Sequence, residues 1–170
     1  MQTETLKQYR DDAQFILVGI GEEWKEHGDP DRLEKACAGL KGLLEGKEYF
    51  VVTTLEDPKP LEAAAEESRI AAPFSGEAVP AGTEERWQAY MKWLMGTLNR
   101  TLLLLELGVG FQAPGVIRWP FEKTAALNQK ALLCRVHEKF YQLPDNLEGR
   151  GISIKTDSTG WMAAMEDIWH

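Results

Sequence analysis

The chain of 170 residues predicts an α/β fold, a Rossmann-like parallel sheet with helices on both faces. Three observations predict it. Residues 102–107, LLLLEL, are apolar apart from Glu106 and run into Gly108 and Gly110. Such a run reads as a strand buried on both faces, with a tight loop at its carboxyl end. Residues 49–54, YFVVTT, are β-branched and aromatic, as strands prefer. Stretches of strand character also alternate with stretches of helical period along the whole chain. In open sheets of this class ligands sit beyond the carboxyl ends of the strands, so the loops there are where function is sought.

Taken in order, residues 4–13 predict a helix with Leu6, Tyr9 and Ala13 on one face. Residues 15–18 predict a short strand ending at Gly19-Ile20-Gly21. Asp29 and Pro30 open a helix that carries Leu33, Cys37, Leu40 and Leu44 and stops near Gly46. After the strand at 50–54, Pro58 and Pro60 begin a helix that continues through 60–68. Residues 69–72 read as a short strand and 73–82, PFSGEAVPAG, as a loop. Thr83 is the expected N-cap of the next helix, with Glu84 and Glu85 in its first turn and Trp87, Tyr90, Met91, Leu94 and Leu98 on its apolar face. Beyond the strand at 102–107, residues 115–129 contain a helix starting around Pro120. Strands at 131–136 and 151–154 and an amphipathic helix at about 159–169 complete the chain. The expectation is one domain over 1–170, with a helical segment at about 58–100. The polar ends at 19–21, 53–57 and 108–110 should converge on one edge of the sheet.

Composition narrows the function. A net charge of -8 with no basic cluster argues against a nucleic-acid backbone as partner. No stretch approaches the roughly 18 apolar residues of a membrane span. The polar, acidic amino terminus reads as neither signal nor transit sequence, so the expected location is the cytoplasm. Cys37 and Cys134 are too few for a four-ligand zinc site and read as buried thiols, so no metal is expected. Several tryptophans, Trp87, Trp93, Trp119, Trp161 and Trp169, should pack helices on the sheet or line the contact of a homodimer.

Four sites together resemble the sirtuins, the NAD-dependent protein deacylases. FILVGIGEE at 15–23 is similar to the family's strand and Gly-Ala-Gly-x-Ser loop, with Gly19 and Gly21 on its two glycines. VVTTLED at 51–57 is similar to the strand and Thr-Gln-Asn-x-Asp motif, with Thr53 and Asp57 matching and Thr54 and Leu55 replacing Gln and Asn. LLLLELGVGFQAP at 102–114, with Gly108 and Gly110, sits where the family has a Gly-Thr-Ser loop. It resembles, with the string Ile117 to Glu122, stretches carried by bacterial sirtuin-like proteins. ALLCRVH at 131–137 is similar to the strand that ends near the adenosine ribose, with His137 in place of Asn. The resemblance implies NAD or ADP-ribose as ligand and Gly19, Gly21, Thr53, Asp57, Gly108, Gly110 and His137 as its contacts.

The departures bear on activity. The family places a histidine base and four zinc cysteines between the second and third sites. Here none of His27, His137 and His170, and neither cysteine, falls between Asp57 and Leu102. The small zinc domain is therefore expected to be absent or reduced to helices, and no catalytic residue is assigned. Gly19-Ile20-Gly21 is either a phosphate loop or a tight turn. Glu22 and Glu23 oppose the first reading: a carboxylate about 4 Å from a phosphate repels it by roughly 4 kcal/mol at an effective dielectric near 20. That corresponds to nearly a thousandfold in affinity. One of the two glutamates could instead satisfy the free N–H groups of a helix start. Asp57 is either a nucleotide contact or a solvated turn acid, and His137 a ribose contact or a strand end. Glu106 needs a partner if buried, and Arg118 is the expected one. Three functions follow: an inactive sirtuin-like protein with weak binding of an NAD-related nucleotide or ADP-ribose, an interaction or assembly module with a closed cleft, and a divergent NAD-consuming enzyme. The missing histidine, Asn and cysteines weigh against the third.

Overall fold

The computed structural model describes residues 2–26, 29–74, 80–147 and 149–169. Six strands form one sheet: β1 (Phe15–Ile20), β2 (Glu48–Thr53), β3 (Ile70–Ala71), β4 (Leu102–Leu107), β5 (Ala131–His137) and β6 (Gly151–Lys155). Their order is β3-β2-β1-β4-β5-β6, and every pairing is parallel. This is the doubly wound, Rossmann-like order, and it reverses direction between β1 and β4. The ligand crevice of such a sheet opens at that reversal, beyond the carboxyl ends of the two strands.

Six helices accompany the sheet among the described residues: α1 (Gln2–Asp12), α2 (Glu23–Glu26), α3 (Pro30–Leu44), α4 (Pro80–Met95), α5 (Arg118–Leu127) and α6 (Ser158–Ala163). Strand parity explains their placement. Ile16, Val18 and Ile20 of β1, Leu103, Leu105 and Leu107 of β4, and Leu132, Cys134 and Val136 of β5 pack with Leu6 of α1, Leu40 and Leu43 of α3 and Met162 of α6. The alternate residues Leu17, Leu102, Leu104 and Leu133 pack with Tyr90 of α4 and Phe121 and Ala125 of α5. Both faces are covered, so all six residues of β4 are buried and the strand needs no polar alternation.

Several expectations are corrected in detail. β1 extends through Ile20, so Gly19 lies inside the strand. Residues 60–68 form two 3-10 turns, Lys59–Ala63 and Glu67–Arg69, in place of one continuous helix. The helix expected to be capped by Thr83 starts at Pro80, which leaves Thr83 inside it. Residues 75–79 of the expected loop lie outside the described residues. α5 starts at Arg118, and Pro120 sits in its first turn, where no N–H is required. The last helix stops at Ala163 and continues as turns. Within the 58–100 segment the short strand expected at 69–72 is present as β3, where Ile70 and Ala71 pair with Val51 and Val52. No helix among the described residues is long and apolar enough to cross a membrane.

Candidate functional site

The loops after β1, β2, β4 and β5 meet at the carboxyl edge of the sheet. Gly21 donates its backbone N–H to Leu107 O at 3.0 Å, and Glu23 donates to Gly108 O at 3.2 Å. A Cβ on Gly21 would meet Gly108 O and the Val109 Cα at 2.5 Å, so the two glycine loops lie backbone to backbone. Gly108 has φ +67°, a conformation only glycine adopts without strain, and a Cβ there would collide with the Glu23 side chain. Gly110 lies against the Glu22 carboxylate. Gly19 faces the other way, toward Ile117 and Phe121, where its missing side chain lets α5 close on β1.

Glu23 is the centre of this edge and is 2% exposed. Its Oε1 accepts from the Ser158 N–H at 2.8 Å and from the Ser158 hydroxyl. Its Oε2 accepts from the Glu138 N–H at 3.1 Å and lies 3.4 Å from His137 Nδ1. The carboxylate thus gathers donors from the start of α6 and from the turn after β5, as a bound anion would. His137 ends β5, and its Nδ1 accepts from Lys139 N at 2.9 Å and Phe140 N at 3.0 Å. That nitrogen therefore serves as an acceptor in the tight turn.

Thr53 joins the edge through structure rather than exposure. It is fully buried, its hydroxyl donates to Ile20 O at 2.8 Å, and it accepts from Leu55 N at 3.1 Å. Asp57 lies farther along, exposed, and accepts from Lys59 N at 3.2 Å as a turn acid does. The structure brings Gly21, Thr53, Gly108, Gly110 and His137 to one edge, leaves Gly19 within the sheet and leaves Asp57 on the adjacent turn. Among the described residues, three buried polar atoms on the segments of this edge have no hydrogen-bond partner: Trp24 Nε1, Thr54 Oγ1 and Thr159 Oγ1. Each is one residue from Glu23, Thr53 or Ser158.

Arg118 is not the main partner of Glu106. The parallel register sets Glu106 opposite Arg135, and the guanidinium grips both carboxylate oxygens at 2.8 and 2.9 Å. Arg135 also donates to Glu122 at 2.8 Å and to Gln142 O at 2.7 Å. Burial opposes the Arg135 charge, but the Glu106 and Glu122 carboxylates outweigh it and hold its pKa above the usual value. Arg118 donates instead to Val109 O and Phe140 O, both at 3.0 Å, so it ties the loop after β4 to the loop after β5. The sequence carries a signal for the Glu106–Arg135 pair: each is the fifth residue of an apolar strand. The part played by Ser158 and the Glu138 amide has no comparable signal, because backbone N–H donors belong to every residue type.

Among the described residues no three His, Cys, Asp or Glu side chains group as metal ligands would. Chemically, the edge offers a fixed carboxylate, a serine hydroxyl bonded to it and a few unpartnered polar groups. No family model matches the chain. Over 70 residues, 41% of its length, it is 27% identical to a protein ADP-ribosyltransferase from Staphylococcus aureus (strain Mu50 / ATCC 700699), of which it spans 22%.

Proposed function

We propose that this chain is a catalytically inactive, sirtuin-like domain that binds ADP-ribose or a related nucleotide weakly and performs no lysine deacylation. One observation carries the reading: the Glu23 carboxylate occupies the donors of Ser158 and Glu138 at the reversal point of the sheet. A pyrophosphate arriving there meets spent donors and a buried negative charge, which accounts for weak binding. The unpartnered Trp24, Thr54 and Thr159 atoms favour residual contact with the uncharged parts of a ligand. The similarity to a protein ADP-ribosyltransferase supports the ligand class.

Calorimetric titration with ADP-ribose tests it on the wild type and on Glu23→Gln, which keeps the acceptor oxygen and removes the charge. The wild type should bind with a Kd near the millimolar range and the variant at least about tenfold tighter. Equal affinities, or a wild-type Kd below about 10 µM, would overturn the reading.

A second reading, an assembly module acting as a homodimer, is favoured by a different observation. Met95, Leu98 and Leu127 stand exposed at the opposite, amino-terminal edge of the sheet.

A further inference from the structure

We propose that a second copy of this chain docks on the amino-terminal edge of the sheet, the cationic, apolar surface of each copy facing the acidic helix α1 of the other. The inference rests on the assembly reading and names the surface and its chemistry.

The apolar part lies where α4 ends and α5 ends. Met95 is 73% exposed, Leu98 49% and Leu127 65%, values that leave these side chains largely in water. They lie close to one another because Asn128, the residue after Leu127, donates its amide to Thr97 O and Arg100 O, both at 3.1 Å. Asn99 holds the turn between them at φ 63°, a left-handed conformation that Asn tolerates better than most residues. The turn is thus built, and Leu98 is presented rather than folded inward. A cluster of exposed apolar side chains rimmed by charge is the usual mark of an interaction surface.

The charge at this surface runs against that of the molecule. The chain carries 27 acidic and 19 basic residues. Yet in the span 92–130 every exposed charge is a cation: Lys92, Arg100, Lys123 and Lys130. The two acids of that span, Glu106 and Glu122, both pair with Arg135. Among the described residues none of the four cations is engaged in an ion pair.

The complement lies next to it. Helix α1 exposes Glu4, Asp11 and Asp12, and a shallow cavity on it is lined by Glu4, Thr5, Gln8, Tyr9 and Asp12. Asp11 is engaged by Lys7 and Asp12 accepts from the neutral Gln8 side-chain amide, while Glu4 and Asp12 both line the cavity. Gln14 donates its backbone N–H to Thr101 O at 3.0 Å, so the end of α1 adjoins the turn that carries Leu98 and Arg100. A two-fold contact pairs each patch with its counterpart twice. Adjacent acidic and basic halves on one edge are what such a contact needs. Apolar burial would supply the affinity and the charges the register.

Sedimentation of the full chain, at roughly 1 to 100 µM, tests the proposal on two variants. One is Arg100→Glu with Lys130→Glu, the other Glu4→Lys with Asp12→Lys. All four sites are exposed, and circular dichroism with thermal unfolding checks that both variants fold. The wild type should be dimeric, and each variant alone should lose at least tenfold in association. An equimolar mixture of the two should dimerise again, because each reversed surface then faces an opposite charge. A wild type that is monomeric throughout overturns both this proposal and the assembly reading. A dimer unchanged in either variant, or variants that do not recover on mixing, overturns the proposed surface and leaves the assembly reading standing.

Discussion

Cys37 shows how far one position can be insulated from solvent chemistry. Its thiol projects from the buried side of α3 and donates weakly to Pro60 O at 3.4 Å, and burial pushes its pKa up to about 11. An exposed cysteine titrates near 8.5, so at pH 8 the thiolate fraction of Cys37 is roughly two-hundredfold smaller. Cys134 is buried in β5 and is shifted upward as well, by burial and then by the Glu106 charge. Iodoacetamide at pH 8 should therefore leave both thiols unmodified in the folded protein and alkylate both in denaturant, as read by mass spectrometry. Rapid stoichiometric labelling of the native chain would contradict the packing around α3. The same shift sets a pH dependence. A thiol whose folded pKa lies above its unfolded value contributes stability that is intact below about pH 9 and declines as pH rises toward 11.

At the scale of elements, the Glu106–Arg135 pair is the buried polar link between β4 and β5, and its two halves are not equivalent. Arg135 keeps Glu122 and Gln142 O if Glu106 is removed. Glu106 is 0% exposed, and Arg135 supplies its side-chain hydrogen bonds. Arg135→Met should therefore lose about 3–5 kcal/mol in urea unfolding, and Glu106→Leu distinctly less. In Arg135→Met, burial acts on the Glu106 carboxyl without its counter-ion and raises its folded pKa above the unfolded value near 4.3. Stability of that variant should then recover as pH falls from 7 toward 5, the reverse of ordinary acid destabilisation. A flat or falling profile would show that Glu106 finds another cation. Elements of this kind were legible in the chain where local pattern and tertiary fate agree. Residues 102–107 read as a doubly buried strand because both faces are covered, and all six are buried. The short helix α2 was not legible, since Glu23 at its start is held by a contact with Ser158, distant in sequence. The glycines of the candidate site could be read from spacing, but the direction each faces could not. Gly19 and Gly21 differ by two positions, yet Gly19 opens toward α5 and Gly21 toward the loop after β4.

At the scale of the whole molecule, the proposed function limits binding and chemistry at this edge for separate reasons, and they can be tested separately. Under the proposal binding is limited by Glu23, whose carboxylate accepts from the Ser158 and Glu138 amides that a pyrophosphate would use. Chemistry, under the same proposal, is limited because the described residues of the edge present no base poised for it. Deacylation of the sirtuin kind needs one to activate the ribose hydroxyl, and general-base catalysis typically supplies about 10²–10⁴-fold. Among the described residues the edge carries His137, and its Nδ1 already accepts from the Lys139 and Phe140 amides. Leu55 stands where the resembling motif has an amide side chain, and it packs against the apolar core. Relieving the first limit should leave the second in place. Glu23→Gln is expected to bind ADP-ribose more tightly than the wild type and still release no nicotinamide from NAD in the presence of a broad acyl-peptide pool. Chromatographic measurement of nicotinamide over hours, with protein at substrate-like concentration, reads this directly. Nicotinamide formed by the wild type and abolished by Gly21→Trp would overturn the prediction, because a side chain at Gly21 collides with Gly108 and Val109 in the site itself. Formation that survives Gly21→Trp arises elsewhere than at this edge. Formation seen only in Glu23→Gln would mean that the carboxylate alone had silenced a complete catalytic apparatus, and the missing base would no longer explain the inactivity.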